Sequence, residues 1–268
     1  MTDPRAAGSA MALFFALACA ITWALDAPFV YYCLRHQETP GGLLALVGLG
    51  AFGPTLAAYL LARRRGTLRE TFGRWRPTSW AWVLVGLGTP AALHLVANVL
   101  EVALGGAPSQ WFYPPNSREA IAALVFFSIG EEFGWRGFAQ PLAVERIGPV
   151  GGSLLVGAVW GLWHLGMSFT PAGGLPDPAV FLPGVLELTL YAVVFGLLFE
   201  RSGRSMAVAI ALHAGGHLDN TSHAPITELR LRALRLAVVA AAAIVAAALL
   251  RRDARGGAPA PDAGHKHE

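Results

Sequence analysis

The sequence predicts an all-α, polytopic transmembrane bundle of about eight helices, and three observations carry that prediction. Of the 268 residues 54% are hydrophobic and only 14% charged, whereas a soluble domain carries roughly 25% charged residues. The mean hydropathy is +0.50. The apolar residues also come in runs close to the ~20 residues that a helix needs to cross a bilayer, with arginines clustered between them.

The runs lie at about 9–34, 42–62, 79–104, 119–143, 150–169, 180–200, 205–219 and 232–250. The first follows Arg5 and contains "ALACA", but it stays apolar to Tyr32. That outruns a signal-peptide core of roughly 7–15 residues, so the run reads as a retained helix. Its Cys19 and Cys33 would stand about 21 Å apart along the axis at ~1.5 Å per residue, too far to bridge. The second run leads into "RRRGTLRETFGRWRP", whose six arginines mark a cytoplasmic loop. The third carries His94, Asn98 and Glu101 on one helix face, the fourth "FFSIGEEFGWRGF", the fifth "AVWGLWHLG" and the sixth Glu187. The seventh, with "AIALHAGGHLDN", is the shortest and the most polar. The eighth closes a single transmembrane domain, 1–250. It is followed by "RRDARGGAPAPDAGHKHE", a Pro-, Gly- and Ala-rich cytoplasmic tail, 251–268, expected to be disordered, with His265 and His267 solvated.

Alternation from the arginine-rich loop puts both termini inside, with Arg201, Arg204, Arg251 and Arg252. Arg230, Arg232 and Arg235 fall outside, against the rule. The pI near 9.2 therefore reflects loop arginines and not a nucleic-acid surface. The expected location is a bacterial inner membrane, N-in and C-in. The expected partners are the lipid bilayer and a peptide or protein substrate, with no nucleic acid.

Charged side chains at the bilayer centre cost at least about 2.5–3.5 kcal/mol each and are by default functional. In the fourth run Glu132 and Arg136 stand at i, i+4, share a helix face and can pair. Glu131, turned by roughly 100°, is left without a partner on its own helix. One carboxylate held and one free suits a base with a structural neighbour. Gly130, Gly134 and Gly137 would admit another helix or a substrate backbone. His213 and His217 share a face of the seventh run, and His164 follows Trp160 by one turn in the fifth. At ~1.5 Å per residue, Glu131 lies about 17 Å deep, His164 about 17–21 Å and His213 about 12 Å. Three runs thus bring one carboxylate and three imidazoles to one layer, around a membrane-embedded polar cavity. Singly, such a histidine is often an interhelical hydrogen-bonding group, which is one reading of His94 with Asn98 and Glu101. Asp26 and Glu187 are satisfied within the bundle or line the cavity.

"EEFGWR" fits the EExxxR signature of the CPBP intramembrane proteases, a family that resembles the CAAX prenyl endopeptidases and the bacteriocin-processing and immunity proteins. "WGLWH" resembles the family's FxxxH motif with Trp160 for Phe. "HAGGH" resembles its HxxxN or HxxxD motif with His217 for Asn or Asp. "GAFGPTLAAYLLARRR" has the look of the same family, and the resemblance covers about residues 45–220. It implies a bundle of about eight helices around a cone-shaped cavity open to membrane and cytosol. It also implies Glu131 as general base, His164 positioning the water, and His213 and His217 donating to the tetrahedral oxygen, with Glu132 and Arg136 completing the motif. Peptide hydrolysis needs such a base and such donors.

Zinc is the open cofactor question. Glu131, His164, His213 and His217 are a Glu-His-His-His set, but "HAGGH" lacks the adjacent Glu of HExxH zincins, and a metal-independent site is the preferred reading. The predicted function is an integral membrane endopeptidase. The alternative is a non-catalytic scaffold or immunity-like binding protein of the same fold. A proton-coupled transporter would also bury Glu and His, but no pair of broken inverted-repeat helices is visible. A prenylated CAAX substrate is implied by the eukaryotic relatives and is not assigned to this chain.

Overall fold

The structure, a computed structural model, describes residues 4–35, 38, 40–108, 111–112, 118–169, 175–218 and 229–256. Helix α1 (Pro4–Leu34) leads into α2 (Gly41–Gly50) and α3 (Gly53–Arg65), then a short α4 (Leu68–Phe72) and α5 (Ala81–Ala103). Next come α6 (Arg118–Glu132), a π-helical stretch (Phe133–Ala139), α7 (Gln140–Trp163) and a 3₁₀ turn (Gly166–Ser168). The chain continues as α8 (Pro178–Arg201), α9 (Met206–Leu218) and α10 (Leu229–Gly256). No strand occurs among the described residues.

Six helical stretches are long and apolar enough to cross a membrane: 7–34, 41–65, 81–103, 125–163, 178–201 and 231–256. Two departures from the expected eight have local causes. The fourth and fifth runs form one helical stretch that breaks inside α7. Ile147 (φ −130°, ψ 15°) and Gly148 (φ 76°, ψ 169°) leave the helical region just before Pro149. That conformation is essentially restricted to glycine, so the chain turns there and re-enters the bundle. The seventh run is α9, at 13 residues about 20 Å long at ~1.5 Å per residue and short of a full crossing. The second run is also interrupted, at Ala51 and Phe52 between α2 and α3. The tail expected from 251 begins within helix, because α10 continues to Gly256; residues 257–268, with His265 and His267, lie outside the described residues.

Helix α7 packs on α8, α5 on α9, α10 on both α8 and α5, and α1 on α2 and α3. Small residues set the closest approaches. A Cβ at Gly157 would meet the Thr189 backbone at 2.9 Å, and one at Gly161 would meet the Val185 Cα at 2.9 Å, which is how α7 and α8 come together. Large side chains such as Leu84, Leu182 and Ile244 remain exposed, as surfaces facing hydrocarbon should. Cys19 and Cys33 are free thiols.

The two ends of the bundle differ. At one end the 73–80 segment is tied to the α8–α9 turn: Thr78 N–H donates to Ser202 O (3.0 Å) and Met206 N–H to Arg74 O (2.7 Å). Ser205 Oγ donates to Trp75 O (2.8 Å). Arg201 pairs with Asp253 of α10 at 2.9 Å, and Arg146 packs against Gly8 of α1. Arg63, Arg64 and Arg65 close α3 there. The opposite end holds the starts of α8 and α10 and the end of α9.

Candidate active site

The double-glutamate motif straddles the junction between α6 and the π-helical stretch. A π-helix widens the turn by bonding i to i+5 and occurs mostly at functional sites. Here it presents Glu131, Glu132 and Arg136 to the interior, all at most 4% exposed. Close approach of α3 and α4 is permitted by glycine, as the sequence suggests. A Cβ at Gly134 would stand 2.5 Å from the Pro54 backbone, and one at Gly137 2.6 Å from the Thr71 carbonyl. Gly130 lies against Phe52 and the Ala51 carbonyl, where a Cβ would stand at 2.9 and 3.0 Å.

The expected Glu132–Arg136 pair forms, with Arg136 Nη1 donating to Glu132 Oε1 at 2.9 Å. The guanidinium lies over two aromatic faces, 3.8 Å from the Phe195 centroid and 4.5 Å from that of Trp160. Such stacking suits a weakly hydrated, delocalised cation. The same Glu132 oxygen lies 2.7 Å from His213 Nδ1. An ionised carboxylate only accepts, so Nδ1 of His213 is the donor and neutral His213 keeps Nε2 as an acceptor. That Nε2 is 3.1 Å from His217 Nε2 and 3.9 Å from Glu131 Oε1. The two imidazoles stack, with centroids 4.9 Å apart.

Glu131 is held from a different helix. Trp160 Nε1 donates to its Oε2 at 2.7 Å. Three residues before the end of α7, Trp160 thus turns an indole N–H onto the carboxylate that its own helix leaves unpaired. His164 Nδ1 stands 2.8 Å from the Trp160 carbonyl, which can only accept, so Nδ1 carries the proton and Nε2 is left as an acceptor.

A cavity of about 530 Å³ opens above this cluster. His164, His213 and His217 line it together with Trp160, Tyr191 and Phe195. The structure therefore brings the three predicted histidines to one hollow and packs both glutamates and Arg136 against its floor. Glu131 and Glu132 are absent from the lining; Trp160 and His213, which are part of it, bond Glu131 and Glu132 respectively. His94 lines the same cavity and lies 3.0 Å from Asn98, so the α5 seam borders the site. Glu187 lines it too and pairs with Arg235 at 3.6 Å. Asp26 instead borders a separate hollow of about 200 Å³, its carboxylate oxygens without a hydrogen-bond partner among the described residues.

Zinc does not fit this arrangement. Among the described residues no group of three or more His, Cys, Asp or Glu is placed to hold a metal. No step through a metal is derived.

Two features escaped the sequence reading. The motif reads Trp160 as a substitute for phenylalanine, yet its N–H bonds Glu131, a role that Phe cannot fill. Tyr191 and Phe195, at i, i+4 on α8, line the hollow, and Phe195 faces Arg136; an aromatic pair at helical spacing opposite a buried arginine was the available signal.

Residues 111–218 match the family described as type II CAAX prenyl endopeptidase Rce1-like, which agrees with the resemblance carried by the three motifs. A comparison with curated proteins finds no match.

Proposed function

We propose, proceeding from the fit of the motif-bearing segment to the Rce1-like CAAX endopeptidases, that this chain is an integral membrane endopeptidase. It hydrolyses a peptide bond of a membrane-associated protein or peptide. The observation that supports the reading most is the linked set Trp160–Glu131, Arg136–Glu132–His213 and His213–His217 beneath a hollow within the bundle.

The roles follow from bonding capacity. A water held at His164 Nε2, the nitrogen left as an acceptor, loses its proton to Glu131 as its oxygen bonds the scissile carbonyl carbon. For Glu131 to reach that water the Trp160 indole must give way, exchanging its bond to the carboxylate for one to water or substrate. The negative charge on the carbonyl oxygen meets His213 and His217. Neutral His213 offers Nε2 only as an acceptor, so it first takes a proton from solvent at Nε2 and then donates to the oxyanion as an imidazolium, a proton that it keeps through the turnover. Glu132 is then its counter-ion, much as a carboxylate supports the imidazolium of a serine-protease triad. Arg136, stacked between aromatic rings, keeps Glu132 charged and oriented. Collapse of the tetrahedral centre breaks the C–N bond, and the proton taken from water passes to the leaving amine.

One observation favours a second reading, a non-catalytic membrane protein of the same fold that binds a partner: Glu131 lies behind Trp160, off the cavity wall. Membrane proteomes of cells carrying the wild-type or the Glu131→Gln protein separate the two. Endopeptidase action predicts membrane proteins that lose a terminal or loop fragment only in the wild type. Identical proteomes, with both variants present at equal level, would leave the binding reading in place.

A further inference from the structure

A helix ends with four carbonyls that have no partner within it, and α7 ends next to the imidazole assigned to the water. All four of its last carbonyls are satisfied. His164 takes two of them: its Nδ1 donates to Trp160 O at 2.8 Å and its backbone N–H to Gly161 O at 3.3 Å. Leu165 N–H donates to Leu162 O at 3.1 Å. The fourth donor comes from another helix, Trp23 Nε1 of α1, which donates to Trp163 O at 3.0 Å. Trp163 is fully buried, so without that indole its carbonyl has no water to turn to.

Helix α1 grips the same residue a second time. Trp163 Nε1 donates to Thr22 Oγ1 at 2.9 Å. The Thr22 hydroxyl in turn donates its single proton to the carbonyl of Gly50, the last residue of α2, at 2.7 Å. Thr22 is as fully buried as Trp163. Two neighbouring residues of α1 thus bond both the backbone and the ring of Trp163. That ring is one of two against which His164 packs: its centroid lies 4.9 Å from the imidazole at 88°, and that of Trp160 lies 5.9 Å away at 57°.

We infer that Thr22 and Trp23 are positioning residues for His164. By fixing the Trp163 backbone and ring, they keep the imidazole bonded through Nδ1 to the Trp160 carbonyl and so leave Nε2 as its acceptor. Neither residue lines the cavity that His164 lines, and both lie outside residues 111–218, which match the family. A helix beyond the matched segment therefore sets the state of a site residue. The inference rests on the endopeptidase reading for what Nε2 does in the reaction; the positioning itself rests on the bonds alone.

Three variants of the full chain test this. Trp23→Phe removes the N–H, Thr22→Val removes the bridging hydroxyl at nearly constant shape, and Thr22→Ser keeps that hydroxyl. Nitrogen-15 resonance of ring-labelled histidine in the purified protein reports the tautomer, with the His164 signals assigned by their loss in His164→Gln. The wild type should carry the His164 proton on Nδ1. In Trp23→Phe and Thr22→Val the His164 signals should shift toward an average of the two tautomers. Those of His213, held by Glu132, should stay in place, and Thr22→Ser should keep the wild-type pattern. The same two variants should lower kcat, by up to the ~10²-fold that a displacement of about 1 Å can cost, with KM unchanged. Unmoved His164 signals, shifts spread equally to His213, or an unaltered kcat in a protein that cleaves would overturn the inference. A His164 response in a protein that cleaves nothing, wild type included, would uphold the positioning and defeat only the endopeptidase reading.

Discussion

Arg136 shows how far a single residue's surroundings decide its role. Its guanidinium is 1% exposed, bonded to Glu132 and faced by Phe195 and Trp160. Replacing it with alanine leaves a buried carboxylate without its cation, a change that typically costs about 3–5 kcal/mol. Arg136→Ala should therefore lower thermal stability in detergent and abolish cleavage, whereas Glu131→Gln, nearly isosteric, should keep the stability. Trp160→Phe removes only the N–H that holds Glu131. It should preserve folding and change turnover, measured as kcat on a reconstituted substrate, while unchanged kcat would show that the indole bond does not bear on the base. His217→Asn introduces the asparagine of the HxxxN motif that this segment resembles and should leave activity within about tenfold of wild type, since an amide N–H can replace an imidazole N–H at the oxyanion. A loss of about 10²–10³ in rate, the usual cost of deleting an oxyanion donor, would show that the imidazole itself is needed.

Among the elements, the π-helical stretch and α3 form a unit that depends on the absence of side chains. Gly134 and Gly137 admit the Pro54 backbone and the Thr71 carbonyl at distances no Cβ tolerates. Gly134→Val should push α3 away from the motif, and with it the register of Glu131 and Glu132. The expected result is loss of cleavage together with a lowered unfolding temperature. The glycine spacing in the sequence anticipated this approach, and the i, i+4 rule anticipated the Glu132–Arg136 pair. The π-helical geometry was not legible, because periodicity at 3.6 residues says nothing about a local i to i+5 turn. The break at Gly148 was legible only as a boundary between two apolar runs; that it folds the chain back through a Gly-restricted conformation is a matter of backbone angles.

For the whole molecule, composition was enough to show an apolar helical bundle, since 14% charge cannot cover a soluble domain of this size. Depth counting along each run correctly brought His164, His213 and His217 to one hollow, because rise per residue is nearly constant in helices. It could not say which way a side chain turns, and so did not anticipate the bond from the Trp160 indole to Glu131. Nor could it find how the 73–80 segment is tied to the α8–α9 turn: the hydrogen bonds that do so join residues about 130 positions apart. Among the described residues no group of three or more His, Cys, Asp or Glu is placed to hold a metal. Activity should survive a chelator, and purified protein should carry substoichiometric zinc by elemental analysis.

The most direct measurement is cleavage of a membrane-anchored peptide by the purified protein in proteoliposomes, with chelator present, comparing wild type with Glu131→Gln of equal thermal stability. A positioned base contributes about 10²–10⁴-fold, so the account predicts cleavage by the wild type and a loss of at least that order in the variant. Undiminished cleavage by the Glu131→Gln protein would contradict it.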